Sequence, residues 1–161
     1  MTESFVVSVH GADGTARVAA RLAGRLRPGD VVLLTGDLAS GKTTFVKAVA
    51  EAMGATDVVT SPTFTLAQFY DTPTTKLLHV DTYRIDDLAE YRDLGLADFV
   101  DTSISLIEWG ELVAAEFPEP LTVGLTVAAS GPEDRDITFT GAGRWADDLA
   151  ALRDELAGAR S

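Results

Sequence analysis

The chain has 161 residues, the size of one ordinary domain spanning 1–161. Hydrophobic residues make up 46%, enough for a real core, and no apolar run reaches membrane-spanning length. The formal net charge of −12 disfavours direct RNA or DNA binding, which is mostly electrostatic, so any role near nucleic acid is expected to run through a basic partner; the plainer reading of the charge is solubility.

Phe5 to His10 alternates weakly and reads as a first strand. Asp13 to Leu26 places Val18, Leu22, Ala23 and Leu26 on one face and predicts a helix. Arg27-Pro28-Gly29-Asp30 turns into Val31 to Thr35, a buried strand by composition. Thr44 to Met53 has helical spacing, with Phe45, Val49 and Met53 on one face, and Gly54 ends it. Phe64 to Tyr70 and Lys76 to Tyr83 read as a hairpin about the turn material 71–75. Residues 86–100 hold short helical turns around Leu88, Leu94, Leu96 and Phe99. Ser103 to Trp109 is a strand, followed by a short helix to Phe117. Leu121 to Ala128 and Asp136 to Thr140 are two more strands. From Arg144 to Ser161 a terminal helix is expected, with Trp145, Leu149, Leu152 and Leu156 at helical spacing. That stripe reads as a helix docked on the sheet rather than as a partner-binding face. The fold class is therefore α/β: a mixed sheet flanked by helices, parallel around the segment after residue 35, with antiparallel additions.

That segment carries the chemistry. Residues 36–43, GDLASGKT, fit G-x-x-x-x-G-K-[ST] at every fixed position. At an average glycine usage of about 7%, a chance match in a chain of this size is on the order of one in a hundred. The strand before it and the helix after it are the context the motif requires. Gly36 and Gly41 let the backbone turn so that N–H groups from Asp37, Leu38, Ala39, Ser40 and their neighbours converge on phosphate oxygens. Lys42 brings a cation to the outer phosphates, and Thr43 a hydroxyl for Mg²⁺, a hard ion that binds few protein oxygens. Thr44 follows in the first turn of a helix whose positive dipole end faces the same anion.

Hydrolysis or transfer also needs a carboxylate on the metal side and a group that orients the attacking oxygen. Two strands end in an acid, Leu77-Leu78-His79-Val80-Asp81 and Ile104-Ser105-Leu106-Ile107-Glu108. In the first, alternation puts His79, Asp81 and Tyr83 on one face; in the second, Glu108 and Trp109 point opposite ways. Either acid could equally be a charge capping a core strand. His79 alone is more often structural than a proton carrier, and Trp109 alone is more often core. The hydroxyl-rich 60–65 could be a loop ordered by a triphosphate or an ordinary turn fixed by Pro62. The chain has no cysteine, which excludes disulfides and thiolate sites and makes a reducing cytoplasm the default compartment; the N-terminal MTESFVVSVHGADG lacks the pattern of a signal peptide. His10 and His79 are the only imidazoles, so a zinc site is not expected.

Taken together, GDLASGKTT, SPTFTL, HVDTYRI, LGL and IEWGE resemble, in order and spacing, the TsaE (YjeE) family over about residues 10–127. Its members are small bacterial P-loop ATPases required for N6-threonylcarbamoyladenosine modification of tRNA. The resemblance implies that Lys42 and the loop backbone hold ATP phosphates, that Thr43 and Glu108 ligate Mg²⁺, and that Asp81 positions or activates water. It further implies that Ser61, Pro62 and Thr63 form a switch-like loop, that Trp109 flanks the site, and that Thr15 lies near the adenine. Tyr83 and Arg84 match a family block, with Arg84 open between charge stabiliser and partner contact. The implied partners are TsaD and TsaB, with tRNA reached only through them. The chain departs from the family in having Ala39-Ser40 where Gly-Ala is common, a costlier place for positive φ.

Three other readings compete with a slow Mg-dependent ATPase. A small-molecule kinase would want an arginine-rich lid, and mid-chain only Arg84 and Arg92 are present. A GTPase would need Asn-Lys-x-Asp, which does not occur. A nucleotide-gated binding module with negligible hydrolysis is the nearest rival.

Overall fold

Val31–Thr35 buries four residues in a row, which a strand can do only when both faces of its sheet are covered. Val32 and Leu34 enter one apolar cluster while Val31 and Leu33 enter the other, as period-two alternation demands. The computed structural model describes residues 2–37, 40–56, 67–82 and 85–158. In chain order these form β1 (Thr2–His10), α1 (Gly11–Ala23), β2 (Val31–Thr35), α2 (Lys42–Ala52), β3 (Ala67–Asp71) and β4 (Lys76–Asp81). Then come α3 (Leu88–Asp93), α4 (Ala97–Val100), β5 (Ser103–Glu108), a 3₁₀ segment (Gly110–Glu116), β6 (Leu121–Val127), β7 (Asp134–Ala142) and α5 (Arg144–Gly158).

The seven strands form one mixed sheet in the order β1-β7-β6-β2-β5-β4-β3. β2 runs parallel to β5 and β6, and β4 parallel to β5. The pairs β1–β7, β6–β7 and β3–β4 are antiparallel; β3–β4 and β6–β7 are the hairpin-like additions the sequence suggests, and β1 adds a further edge strand beside β7. α1, α2 and α5 contribute Val18, Leu22, Phe45, Val49, Trp145, Leu149 and Leu152 to the cluster on one face. Tyr91, Leu96 and Val113, from α3, its following turn and the 3₁₀ segment, cover the other. The α5 stripe is thus core. Full burial of each such side chain contributes about 1.5–3 kcal/mol, and this is what docks the terminal helix. Among the described residues no helix is long and apolar enough to cross a membrane.

Several boundaries differ from the sequence reading. α1 stops at Ala23, yet Leu26 still reaches the same core, because Arg25 and Leu26 continue as a tight turn whose amides bond the carbonyls of Leu22 and Ala23. β1 and β7 extend beyond the predicted spans, pairing in register from Thr2–Ala142 to His10–Asp134. β4 ends at Asp81 and β5 at Glu108, one residue short of Trp109. The predicted start of β3 at 64–66 lies outside the described residues.

The topology has one consequence for chemistry. Leu34 pairs with Glu108, and Glu108 with Asp81, so the carboxyl ends of β2, β5 and β4 come out side by side. The loop leaving β2 and both candidate carboxylates are delivered to one edge.

Candidate active site at the ends of the parallel strands

β2 gives way to the glycine loop at Gly36, whose φ of 137° suits glycine alone. A Cβ there would also run into the Leu125 carbonyl and lie 2.7 Å from Ser40 Oγ. Gly41, with φ 107°, is the left-handed residue that opens α2. The first helical residue is Lys42, so the loop passes directly into a helix N-terminus, an arrangement that attracts anions.

Lys42 is buried, and its Nζ donates to the carbonyl oxygens of Gly36 at 2.7 Å and Asp37 at 2.9 Å. The ammonium also lies 3.9 Å from the centre of the Trp109 ring, a cation–π contact. Burial pushes the Lys42 ammonium below the usual lysine range, against the upward pull of Glu108, Glu111, Asp81 and Asp37.

Next to Lys42, the Thr43 hydroxyl donates to Glu108 Oε1 at 2.9 Å, joining α2 to the end of β5. The other carboxylate oxygen, Oε2, lies 2.6 Å from His79 Nε2, and both of these side chains are buried. His79 Nδ1 in turn lies 3.4 Å from the Tyr70 hydroxyl, which donates to Gln68 Oε1 at 2.5 Å. A polar chain therefore runs from the loop threonine through β5 and β4 to β3. It satisfies a carboxylate that would otherwise be costly to bury. His79, which the sequence reads as more often structural than a proton carrier, is buried with Glu108 as its partner.

The backbone after Glu108 is unusual. Trp109 takes φ 62° and ψ 42°, the only positive-φ residue among the described non-glycines. Such strain persists where the surroundings over-determine it. Here Thr82 supplies the restraint: its buried hydroxyl lies 2.9 Å from the Glu108 carbonyl and 2.8 Å from that of Trp109. The chain turns off the sheet at Trp109 and lays the indole over Lys42. Thr82 escaped the sequence reading, since a threonine after a strand carries no signal of its own.

Asp81 stands half-buried beside Glu108 in the parallel register, close enough to raise Lys42 electrostatically. Thr15 is buried on α1 with its hydroxyl 3.5 Å from the Gly11 carbonyl. It lines a cavity of about 260 Å³ together with Gly11, Ser40, Gly41, Thr44 and Arg135. Arg135, on β7, donates from Nε to the Ser40 carbonyl at 2.9 Å. Nothing in its surroundings at 132–138 marks it, and 95 residues separate the two partners. Among the predicted site residues, the structure thus gathers Gly36, Asp37, Ser40, Gly41, Lys42, Thr43, Asp81, Glu108 and Trp109 at one edge, with Thr15 and Thr44 on the adjoining cavity. Leu38, Ala39, Ser61, Pro62, Thr63, Tyr83 and Arg84 lie outside the described residues.

A profile of the family described as "Threonylcarbamoyl adenosine biosynthesis protein TsaE" matches residues 9–137. The chain belongs to the TsaE family. It is 44% identical over 129 residues to the tRNA threonylcarbamoyladenosine biosynthesis protein TsaE of Treponema pallidum, covering 79% of this chain and 93% of that protein. The TsaE protein of Bacillus subtilis is 40% identical over 130 residues, 80% of each chain. That of Streptomyces coelicolor is 41% identical over 135 residues, 78% of this chain and 90% of its own. The crystal structure of YdiB from Bacillus subtilis superposes with a TM-score of 0.76 at 33% identity, over 100% of this chain and 99% of that one. The TsaE profile ends at Ile137, so it spans both Glu108 and Arg135 and stops short of α5.

Whether the residues present suit a magnesium ion is a question of donor chemistry. Thr43 and Glu108 offer two hard oxygens 2.9 Å apart at a helix start. Magnesium binds through one or two protein oxygens and completes its shell with phosphates and water, so the pair fits. Among the described residues no cluster of three or more acids and histidines offers an all-protein cage.

Proposed function

We propose that this chain binds ATP at the GDLASGKT loop and hydrolyses it slowly with Mg²⁺, in support of threonylcarbamoyladenosine modification of tRNA. The observation that carries the reading is the Thr43–Glu108 contact beside Lys42, in a member of the TsaE family. Relatives across most of their length are named as tRNA threonylcarbamoyladenosine biosynthesis proteins.

In this reading the loop amides and Lys42 take the phosphates. Lys42 exchanges its two carbonyl partners for phosphate oxygens while Trp109 keeps the ammonium shielded from water. Thr43 and Glu108 would hold Mg²⁺, which when bound neutralises charge on the outer phosphates. Asp81 orients a water molecule toward the γ-phosphorus and takes its proton as the water oxygen bonds to phosphorus and the β–γ bridge breaks, giving ADP and phosphate. His79 keeps the Glu108 carboxylate in one plane. Thr15 borders the cavity where the adenosine end would lie.

The proposed partners are TsaD and TsaB, with tRNA engaged through them and the chemistry taking place in the cytoplasm. An acidic chain with a net charge of −12 suits that division of labour, since it repels the RNA backbone itself. The test combines this chain with TsaD, TsaB and tRNA, with ATP or a non-hydrolysable analogue, and counts modified adenosines per complex. Multiple turnovers with ATP and at most one with the analogue are expected. Equal yields with both would remove hydrolysis from the role, and no dependence on this chain would remove the role altogether.

A further inference from the structure

Two cations border the phosphate loop, and neither has a carboxylate within 4.0 Å among the described residues. One is Lys42. The other is Arg135. Arg21, Arg25, Arg92, Arg144 and Arg153 each pair with an acid. Arg135 instead directs its donors to main-chain carbonyls: Nε to Ser40 at 2.9 Å, and Nη1 to Pro132 at 2.7 Å and Asp134 at 3.1 Å. The neighbouring Asp134 carboxylate is occupied by His10 and Ser130.

The contact to Ser40 has a geometric consequence. A trans peptide is planar, so its C=O and N–H point in opposite directions. With the Ser40 carbonyl held toward Arg135, the Gly41 N–H of the same peptide points away from Arg135. Lys42 takes the carbonyls at the loop's beginning and Arg135 the carbonyl near its end. The loop is thus held at both ends through its acceptors; the Ser40 amide is itself taken by the Asp37 carbonyl at 3.1 Å, so the donor at issue is the Gly41 amide. Arg135 also borders the 260 Å³ cavity with Thr44 and Glu133, so its charge would lie near the nucleoside end of a bound nucleotide's phosphates.

We propose that Arg135 is a positioning residue for the phosphate loop, fixing the Ser40–Gly41 peptide so that the Gly41 amide meets a bound phosphate. The inference rests on the nucleotide-binding reading above. The residue acts from the β6–β7 hairpin, so the sheet's antiparallel flank reaches into the site.

The experiment measures ADP affinity of the full chain by titration calorimetry for the wild type, Arg135→Ala, Arg135→Gln and Arg135→Lys, with melting curves in the absence of nucleotide. Pyrophosphate and adenosine are then competed against a fluorescent ADP. Arg135→Ala is expected to weaken ADP by about tenfold or more, the scale of one charge-assisted contact, and pyrophosphate in parallel. Adenosine competition stays within about twofold of the wild type, melting is little changed, and Arg135→Lys recovers more than Arg135→Gln. ADP binding by Arg135→Ala within about twofold of the wild type overturns the proposal. So does a loss that merely follows a lowered melting temperature and affects adenosine as much as pyrophosphate. A wild-type chain that fails to bind ADP would instead sink the nucleotide-binding reading itself.

Discussion

The parallel centre of the sheet and its antiparallel flank treat polar groups in opposite ways. At the ends of β2, β4 and β5, Lys42, His79, Thr82 and Glu108 are buried and joined to one another and to the backbone. Around the flank formed by β1, β7 and α5, several charges form exposed or half-exposed pairs, such as Arg153 with Glu3, Arg21 of α1 with Glu155, and His10 with Asp134. Buried polar networks are costly to break, whereas exposed ion pairs contribute about 0–1 kcal/mol. Losing one of these exposed pairs strands nothing, whereas the centre cannot change one member without orphaning the next.

Substitutions can break that contrast in a graded way. The largest effect is expected from His79→Phe, which fills the space but leaves Glu108 Oε2 without its donor. Urea unfolding should register a loss of about 3 kcal/mol or more, the scale for stranding a buried charge. A loss below about 0.5 kcal/mol would mean that the centre is no more demanding than the surface. Lys42→Ala should weaken ADP and ATP by about tenfold or more, read by calorimetry, since it removes charge-assisted contacts at the phosphates. Unchanged affinity would take Lys42 out of the site.

Ser40→Ala has the opposite sign. Among the described residues Ser40 Oγ is buried without a hydrogen-bond partner, so removing it should raise stability by about 1 kcal/mol, seen as a higher urea midpoint at constant slope. Arg153→Ala on the flank should change stability by no more than about 0.5 kcal/mol. The smallest effect concerns pH. Asp134 raises the His10 imidazole above its ordinary value, first through their hydrogen bond and then through charge. His10 in turn holds Asp134 below the usual carboxylate range. The histidine's contribution to stability is full below its unfolded value near 6.5 and is lost as pH rises through the higher folded value. That of Asp134 is present above its unfolded value near 3.9 and is lost as pH falls through the lower folded one. NMR titration should place the His10 midpoint above 6.5; a midpoint at or below it would dissolve the pair.

What the sequence revealed of this contrast follows from locality. The loop, its flanking strand and its helix are contiguous, and both candidate acids end contiguous apolar runs, so the elements of the centre were legible. The α5 stripe was legible too, because its period matches one buried face. The links between elements were not. The His79–Glu108 bond spans 29 residues, and its only trace is that both sit late in neighbouring apolar runs. Nothing in Glu-Trp-Gly announces a left-handed residue, so the sequence reading extends the strand through Trp109; the Thr82 hydroxyl that braces the turn lies 27 positions away. Arg135 was invisible because a guanidinium bound to main-chain carbonyls needs no particular neighbours in sequence.

The claim on which the rest depends is that Thr43 and Glu108 together form the metal side of a phosphate site. The direct measurement is ADP affinity with and without magnesium for the wild type, Thr43→Ala and Glu108→Gln. The account predicts that magnesium strengthens wild-type binding, that each substitution removes most of that gain, and that affinity without magnesium changes little. Variants that keep the full magnesium response would contradict it.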